Sequence, residues 1–386
     1  MAKILIVGGG FAAIAAAEIL ADGVGDKDEI IVVAENDKFI FYPGLLPLVF
    51  DKCKLNDVYF DLSQLLQQRK IKFIKAEVIG IDPPKKTIRI VNGPDEEILK
   101  FDFLLVAAGR KPKIAAIPGF REYSNHLLSV EAALLFKQAI AAFESGSIVL
   151  GLCPDASLPI PLCEAALGLA ERFRQKIKGG DISIKLLFPV TLEKALAGSG
   201  LFRDLETEFE EKGITLLSDF PVSVIYENSI LAATGSCIHY DLLMLMPAFS
   251  GPGVLSNQSS ITDREGFAQV DENMQIVGFD QIYAAGDIIS LSGPRFGYMA
   301  LRQGKVAAEN ILARLSDKEP EAVYRHDIEW IIGKRYTDPV FLHYGFWDET
   351  LADFNENALF GMAKLIRERY GSVKEPSDDV MFAGSI

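Results

Sequence analysis

The chain has 386 residues, of which 49% are hydrophobic, and a formal net charge of −14. This length predicts two or three domains with ample core. The negative charge argues against nucleic acid as a partner, because a phosphate backbone needs a basic footprint. No apolar run approaches the roughly 20 residues that span a bilayer, and we expect no transmembrane helix.

The cysteine and histidine content narrows the class of protein further. Four cysteines in a chain of this length do not indicate a disulfide framework. The four histidines are isolated, and no metal site is expected. An apolar strand pattern starts at Lys3, so no leader peptide is predicted. These features together predict a cytoplasmic protein.

A dinucleotide-binding turn is predicted at the start of the chain. The apolar run 3–7 leads into Gly8, Gly10 and Ala13, which have the spacing G-x-G-x-x-A, and a helix-favouring stretch covers 12–20. Gly8 makes the tight turn, and Gly10 lets backbone approach a pyrophosphate. The N-terminus of the following helix offers unpaired N–H groups and a partial positive charge to phosphates.

Two further segments complete a nucleotide site in the sequence. A second apolar strand, 29–34, ends at Glu35, whose carboxylate is suited to accept hydrogen bonds from ribose hydroxyls. Far along the chain, the short strand 281–285 runs into Gly286 and Asp287. An Asp in this position is alternatively a simple helix N-cap.

In combination these motifs resemble the FAD-dependent pyridine nucleotide-disulfide oxidoreductases. Residues 101–110 resemble the family's strand ending in Ala-Thr-Gly, with Ala108 in place of Thr, and 240–247 resembles its counterpart after the second domain. The resemblance extends from residue 1 to about residue 315. It implies an α/β fold with two Rossmann-like three-layer domains and a C-terminal segment.

The resemblance also implies a domain division. Residues 1–112 and 248–315 are expected to form a discontinuous FAD-binding domain, and 113–247 a second, degenerate NAD(P)H-type domain. Residues 316–386 are expected to form a C-terminal segment with an acceptor and membrane surface.

FAD is the cofactor that the resemblance implies. Asp287 is expected to bond the ribityl chain, and a helix from Gly297 to Leu312 to point its N-terminus at the isoalloxazine ring. For Arg110 and Lys111 two interpretations stay open, proximity to the phosphates of the flavin or exposure to solvent. The implied cofactor-binding residues are Gly8, Gly10, Phe11, Ala12, Glu35, Pro43, Ala108, Gly109, Gly286, Asp287, Tyr298 and Met299.

The second domain lacks the Gly-rich turn that family members oxidising NAD(P)H carry. After the strand 147–151 the expected turn contains Pro154, Pro159 and Pro161, and a helix is predicted over Glu164–Gln175. Because proline has no N–H, it cannot help to cradle a pyrophosphate. The sequence therefore predicts a retained scaffold without its phosphate cradle.

The Pro-rich stretch followed by Glu164 resembles the Cys-x-Pro-x-Pro-x-Glu loop of sulfide:quinone oxidoreductases and flavocytochrome c sulfide dehydrogenases. Residues 39–43 and 297–300 resemble further loops of these proteins. Type II NADH dehydrogenases share the architecture, and 300–304 is similar to their Ala-x-x-Gln-Gly segment. A quinone is the electron acceptor that both resemblances imply.

The cysteine pair of the sulfide-oxidising family is not found at the expected positions. A thiolate or persulfide carries the sulfur in that chemistry. The expected positions near Leu158, near Leu128 and between 324 and 347 hold no cysteine. Cys153 and Cys163 lie close to the first position. Either one of them acts alone in catalysis, or both are ordinary packing residues.

Candidate residues for the acceptor side have alternative interpretations too. Glu164 is a candidate proton carrier during quinone reduction, or a helix glutamate favoured by the dipole of the first turn. Quinone sites are apolar with few polar anchors. The aromatic and apolar residues predicted to line such a pocket, or else to form interdomain core, are Tyr298, Met299, Phe341, Phe346 and Trp347.

Apolar residues between Leu359 and Ile366 fall at helical spacing beside Arg367 and Arg369, which predicts an amphipathic helix. It is suited to a peripheral contact with the cytoplasmic face of a membrane. The alternatives are packing on the body of the protein and packing on a second subunit in a homodimer.

The leading hypothesis is a peripheral flavoprotein that passes two electrons through FAD to a quinone. The first alternative is a type II NADH:quinone dehydrogenase with an altered nucleotide loop. The second is a non-catalytic flavin-binding redox sensor.

Overall fold

The computed structural model describes residues 1–325, apart from 68, 70, 197–200, 256–257, 259 and 292–294, together with the backbone of three later strands. The helices are α1 (Phe11–Gly23), α2 (Leu45–Val49), α3 (Leu62–Gln67), α4 (Phe120–Tyr123), α5 (Val130–Ala142), α6 (Pro159–Arg172), α7 (Arg174–Gly179), α8 (Leu192–Ala195), α9 (Leu201–Glu211) and α10 (Gly297–Leu315).

The strands in chain order are β1 (Lys3–Val7), β2 (Glu29–Ala34), β3 (Lys38–Ile40), β4 (Tyr59–Asp61), β5 (Lys72–Lys75), β6 (Glu77–Asp82), β7 (Thr87–Asn92), β8 (Asp95–Lys100), β9 (Phe103–Val106), β10 (Lys111–Pro112), β11 (Gly146–Leu152), β12 (Ile182–Leu187), β13 (Ile214–Leu217), β14 (Val222–Tyr226), β15 (Ser229–Ala232), β16 (Cys237–His239), β17 (Leu242–Met246), β18 (Phe249–Ser250), β19 (Ile282–Ala284), β20 (Asp327–Lys334), β21 (Asp338–Gly345) and β22 (Leu351–Ala352).

The first parallel sheet has the strand order β19-β9-β1-β2-β5. The three central strands β9, β1 and β2 are nearly continuous runs of Ile, Leu and Val, because the centre of a parallel sheet is buried on both faces. Val7 pairs with Val33 on one side and Val106 on the other, and Ala284 also pairs with Val106. The carboxyl ends of β1, β2, β9 and β19 therefore meet at one edge.

The second parallel sheet has the order β13-β12-β11-β17. Side chains of β11 alternate between two apolar clusters: Ile148 and Leu150 pack on one side, and Val149 on the other. Two parallel sheets with helices between their strands confirm the predicted α/β fold class. The domain boundaries drawn from the sequence stay a prediction.

The other described strands pair in antiparallel elements. Three-stranded meanders form from β6-β7-β8, β14-β15-β16 and β20-β21-β22. A two-stranded ribbon pairs β10 with β18, with Pro112 opposite Phe249. At β10 the chain leaves the first sheet for the second, and at β18 it returns. In the part of the chain that the structure describes, no helix is long and apolar enough to span a bilayer.

One predicted helix has different bounds in the structure. The sequence predicted Glu164–Gln175, but α6 begins at Pro159 and ends at Arg172, and α7 follows after Phe173. Proline is tolerated in the first turn of a helix, where its N–H would have no partner anyway. Two of the prolines assigned to the turn therefore belong to the helix, and Glu164 lies in its second turn.

Helices α1 and α10 pack closely against each other. This contact joins the segment after β1 to the segment after β19. A Cβ at Gly304 would lie 2.3 Å from the carbonyl oxygen of Ala12. A Cβ at Gly297 would approach the ring of Phe11 to 3.1 Å, and one at Gly286 would approach the Cβ of Ala12 to 3.1 Å. The small residues let the two helices touch backbone to backbone, with their N-termini side by side.

We predict that Gly304→Ala lowers the free energy of unfolding by about 3 kcal/mol, because the added methyl collides with backbone that cannot rotate away. Urea unfolding followed by circular dichroism measures the loss. Gly179→Ala is the matched control, since an added Cβ there makes only an ordinary 3.5 Å contact with Asp181. Equal stability of the Gly304 variant and wild type would contradict this account of the helix contact.

Candidate functional site

Three turns meet at the carboxyl edge of the first sheet. They follow β1 at Gly8, β9 at Ala108 and β19 at Gly286. In open parallel sheets, ligands bind in the crevice outside this edge. Predicted cofactor residues that are far apart in sequence therefore lie together in the structure.

The turn after β1 has the geometry that a pyrophosphate needs. Gly8 has φ +115°, and a Cβ there would lie 2.2 Å from the carbonyl oxygen of Ala107. Gly10 caps α1, and an added Cβ at Gly10 would meet nothing within 4 Å, so the space before it is open. The first intrahelical hydrogen bond of α1 joins the Ile14 N–H to Gly10. The N–H groups of Phe11, Ala12 and Ala13 are therefore available to phosphate oxygens.

Glu35 and Pro43 flank this turn. Glu35 is exposed directly after β2, at the same edge as Gly8, where a ribose would lie. Pro43 is exposed within a 3-10 turn, Tyr42–Gly44. The loop that carries this turn is anchored by an edge-to-face contact of Phe11 and Phe39, whose ring centroids are 5.0 Å apart.

The turn after β19 is held by a buried glutamine that the sequence motifs did not assign. Gln303, 4% exposed, accepts a hydrogen bond of 2.8 Å from the N–H of Gly286. Gly286 itself has φ +85°, a conformation that favours glycine. Gln303 lies two turns into α10, so the flavin-side turn and this helix are fixed to each other. In the sequence, Gln303 was indicated only by the similarity of 300–304 to the Ala-x-x-Gln-Gly segment of type II NADH dehydrogenases.

The Arg110 side chain is buried, which excludes exposure to solvent, and its proximity to the flavin phosphates stays a prediction. Its side chain is 9% exposed, its Nε lies 3.0 Å from an oxygen of the Asp287 carboxylate, and its guanidinium lies 3.6 Å above the ring of Phe249. Burial lowers the pKa of Arg110, and the charge of Asp287 opposes that shift. Lys111, by contrast, is exposed.

A second arginine, which the sequence interpretation missed, fixes the loop after Asp287. Arg295 donates to the carbonyls of Asp287 at 2.9 Å, Ile289 at 2.5 Å and Leu291 at 3.2 Å. Burial lowers its pKa to about 10. Its position in an irregular segment before α10 gives no periodic signal from which its role can be read.

The second and third residues of α10 are both buried, and Met299 also lines a small cavity beside Asp287 and Gln303. Tyr298 and Met299 are 6% and 3% exposed and belong to the apolar cluster of the second sheet. The ring of Tyr298 stacks on that of Phe296 at 5.9 Å. Of the other residues predicted for a quinone pocket, Phe341 is described only as backbone of β21, and Phe346 and Trp347 lie outside the described residues, as does the predicted helix 359–366.

The two candidate catalytic cysteines lie on opposite faces of the second sheet. Cys153 packs with Val149 in one apolar cluster, and Cys163 lies with Leu150 in the other. Both are buried, at 1% and 0% exposure. Burial raises the pKa of the Cys153 thiol to about 12 and raises that of Cys163 as well, with the charge of Glu164 adding to the latter. They do not face each other as a redox pair.

Glu164 lies on α6 next to Cys163 and is half-buried. Its position in the second turn places it away from the unpaired N–H groups of the helix start. The interpretation of Glu164 as a first-turn glutamate is therefore wrong, because α6 starts five residues earlier than predicted.

We predict that only Cys237 and Cys53 of the folded protein react readily with iodoacetamide at pH 8. Cys237 is exposed and Cys53 half-buried, whereas the other two thiols are buried and protonated at this pH. Mass spectrometry of the labelled peptides measures the order of modification, with Cys237→Ser as a control that removes the fastest thiol. Labelling of Cys153 or Cys163 as fast as Cys237 would restore them as catalytic candidates.

We also expect Gln303→Leu to destabilise the protein by roughly 1–3 kcal/mol, because the Gly286 N–H loses its acceptor inside the core. Urea unfolding of the full chain measures this change. The matched control is Gln269→Leu, whose amide bonds the Thr262 carbonyl at an exposed site. A Gln303 variant no less stable than the Gln269 variant would show that the hydrogen bond is not needed.

The residues present fit FAD. One edge of the sheet carries a glycine turn with open space, the exposed Glu35 carboxylate and the Asp287 carboxylate. It also carries three N–H groups at the start of α1 that have no partner among the described residues. A pyrophosphate, a ribose and a ribityl chain require donors and acceptors of these kinds in this order.

Comparison with known proteins agrees with this geometry. Residues 2–148 match the family model described as pyridine nucleotide-disulphide oxidoreductase. The chain is 25% identical over 336 residues to demethylphylloquinone reductase NdbB of Synechocystis, covering 82% of this chain and 80% of that protein.

Solved structures show the same fold. The sulfide:quinone oxidoreductase of Aquifex aeolicus superposes with a TM-score of 0.85 at 21% identity, covering 96% of this chain and 90% of that one. NDH2 of Plasmodium falciparum, in complex with NADH, gives a TM-score of 0.70 at 13% identity, covering 95% and 94%. The predicted resemblance, fold and cofactor are thus confirmed: residues 2–148 match the pyridine nucleotide-disulphide oxidoreductase family, and the protein is an FAD-dependent oxidoreductase.

Proposed function

We propose that this protein passes electrons through its FAD to a quinone. We also propose that the electron donor is not NAD(P)H, because the phosphate-binding turn of the second sheet is lost. The acceptor is supported by the similarity to a demethylphylloquinone reductase and to the fold of a sulfide:quinone oxidoreductase. That NAD(P)H is not the donor is inferred from the residues at the start of α6.

The start of α6 is poor in the N–H groups that bind phosphate. Pro159 and Pro161 occupy its first and third positions, so that Ile160 alone contributes an N–H among the first three residues. No side chain caps this helix. Phosphates bind helix N-termini through these N–H groups together with the dipole. This single observation carries the proposal that the second sheet no longer holds a dinucleotide.

Two neighbouring features support the same conclusion. The strand β12 ends at Leu187 and is followed by the fully buried Phe188, where a carboxylate would bind the ribose of NAD. Gly151 lies inside β11, and a Cβ there would lie 2.7 Å from the Leu245 side chain. This glycine therefore serves packing between strands and is not part of a phosphate turn.

The proposed chemistry assigns roles to residues at the carboxyl edge of the first sheet and to Glu164 on α6. FAD, when bound, supplies reversible two-electron transfer. The N-terminus of α1 and Glu35 would hold its adenosine diphosphate end, and Asp287 its ribityl chain. Reduction of a quinone also takes up two protons, and Glu164 is the candidate carboxyl group for proton transfer.

The cysteines near the Pro-rich loop do not support the usual thiol chemistry of sulfide oxidation. Cys153 and Cys163 are buried on opposite faces of one sheet, and their raised pKa values disfavour thiolates. A pair that relays sulfur requires accessible thiolates that reach each other. We therefore propose that both are packing residues.

A type II NADH:quinone dehydrogenase is the second candidate. It is favoured by relatives named NADH oxidase, from Methanocaldococcus jannaschii, and alternative NAD(P)H-ubiquinone oxidoreductase, from Arabidopsis thaliana. The fold similarity to NDH2 agrees with it. The prolines at the start of α6 argue against this candidate, because they remove N–H groups that bind phosphate. A non-catalytic redox sensor remains the third hypothesis.

The acceptor is tested without knowledge of the donor. The flavin of the full-length protein is reduced anaerobically with dithionite and mixed with a water-soluble quinone in a stopped-flow instrument. We expect reoxidation at a rate that saturates with quinone concentration, because the quinone binds before electrons transfer. Free FAD reduced in the same way is the control. A rate that grows linearly with quinone, as for free FAD, would refute a quinone site.

The donor is tested by anaerobic mixing of the oxidised protein with NADH, NADPH or sulfide. We expect NADH and NADPH to bleach the flavin no faster in wild type than in Pro161→Ala, with both rates far below the roughly 1–10³ s⁻¹ typical of enzyme turnover. Rapid bleaching by NADH would make the protein a type II dehydrogenase. Bleaching by sulfide would return Cys153 or Cys163 to the mechanism.

A further inference from the structure

The pair formed by Arg110 and Asp287 lies where the three turns of the FAD site meet. Val106 and Ala284 are partners in the sheet, and Arg110 and Asp287 follow them by four and three residues. The two turns therefore run side by side out of neighbouring strands. Oδ2 is the oxygen of Asp287 that lies 3.0 Å from Nε of the guanidinium.

The second oxygen of this carboxylate is available. Within the described part of the chain, Asp287 Oδ1 accepts no hydrogen bond from protein, and the side chain is 30% exposed. FAD carries hydroxyl donors on its ribityl chain and ribose, and carboxylate oxygens accept from hydroxyls in short, charge-assisted hydrogen bonds. A carboxylate with one oxygen held and one presented is suited to this contact.

The guanidinium that holds Asp287 is itself fixed from behind. Arg110 lies over the ring of Phe249 at 3.6 Å, and Phe249 lies in the ribbon β10–β18 opposite Pro112. Its Nη1 is buried without a hydrogen-bond partner among the described residues. The side chain therefore has little freedom to follow Asp287 if that carboxylate rotates.

Such an arrangement is unfavourable for stability alone. An unsatisfied buried donor and a desolvated cation both raise the free energy of the folded state, and replacing buried ion pairs with apolar residues is often neutral or stabilising. A planar guanidinium that both pairs with a carboxylate and stacks on a ring imposes an orientation that a lysine cannot. The benefit is expected in the binding of the cofactor.

We propose that Arg110 is a positioning residue of the FAD site, which acts by fixing the Asp287 carboxylate so that its free oxygen faces a hydroxyl of the cofactor. The loop on the other side of Asp287 is fixed independently, since Arg295 binds the Asp287 carbonyl. Backbone and side chain of Asp287 are thus held by two different arginines. This proposal depends on FAD as cofactor and on neither the donor nor the quinone.

A double-mutant cycle with Arg110→Met and Asp287→Asn tests the proposal. The dissociation constant of FAD is obtained by diluting each full-length holoprotein and measuring the fluorescence of released FAD. We expect each single variant to bind FAD at least roughly tenfold more weakly, since a charge-assisted hydrogen bond is lost or misaligned. The double variant is expected to lie within about twofold of the weaker single variant, because both changes disable one contact.

Arg172→Met is the matched control. Arg172 also lies over an aromatic ring, that of Phe173, at 6.0 Å. It is exposed, and in the sequence it is far from the three turns of the FAD site. Its FAD dissociation constant is expected to equal that of wild type. Unchanged FAD binding in Arg110→Met, or effects of Arg110 and Asp287 that multiply in the double variant, would overturn the proposal. The first result would mean a purely structural ion pair, and the second an action of Arg110 that bypasses Asp287.

If Arg110→Met does not fold, Arg110→Lys enters the same cycle. It keeps the charge but not the planar group over Phe249, and we expect a several-fold weaker binding of FAD that again does not add to the effect of Asp287→Asn. Binding equal to wild type in this variant would show that charge alone suffices and that orientation by Arg110 is not the mechanism.

Discussion

The contact of α1 with α10 is the constraint on which the FAD site depends. At Gly304 the two helices touch backbone to backbone, since an added Cβ would lie 2.3 Å from the Ala12 carbonyl oxygen. This contact brings together two segments at opposite ends of the described chain and sets their N-termini beside one sheet edge. The dipoles of both helices then point at the same crevice. A side chain at the contact would move one dipole away from the cofactor.

Around this contact, buried polar groups connect the turn after β19 to its surroundings. Gln303 binds the Gly286 N–H, Arg295 binds the carbonyl of Asp287, and Arg110 binds its carboxylate. Each of these interactions is made inside the protein, where an unpaired partner is costly. A turn that is fixed at three successive groups presents its carboxylate with little loss of freedom on binding, which favours a tightly held cofactor.

The second sheet has a similar parallel architecture, but the helix after β11 starts with few N–H groups that could bind a phosphate. The order β13-β12-β11-β17 and the helix after β11 are those of a dinucleotide-binding unit. The first turn of that helix, however, contains Pro159 and Pro161, and the glycine that remains, Gly151, is used for strand packing. The sheet is retained because it buries its own apolar core, which does not require a bound nucleotide. Our proposal of a donor other than NAD(P)H follows from this difference between scaffold and site.

The sequence by itself determined the parallel strands and the glycine turn, because both depend on local properties: continuous apolar runs mark buried strands, and a residue with φ +115° must be small. It also determined that Pro159 and Pro161 remove phosphate-binding N–H groups, since that follows from proline's own chemistry. It did not determine that these prolines lie inside α6, because proline is compatible with both a turn and a first helical turn. Only the tertiary structure decided that Arg110 is buried against Asp287, that Gln303 holds Gly286, and that Cys153 and Cys163 face opposite sides of a sheet. These relations join residues that are 10 to 177 positions apart in the chain and depend on strand order, which no local pattern contains.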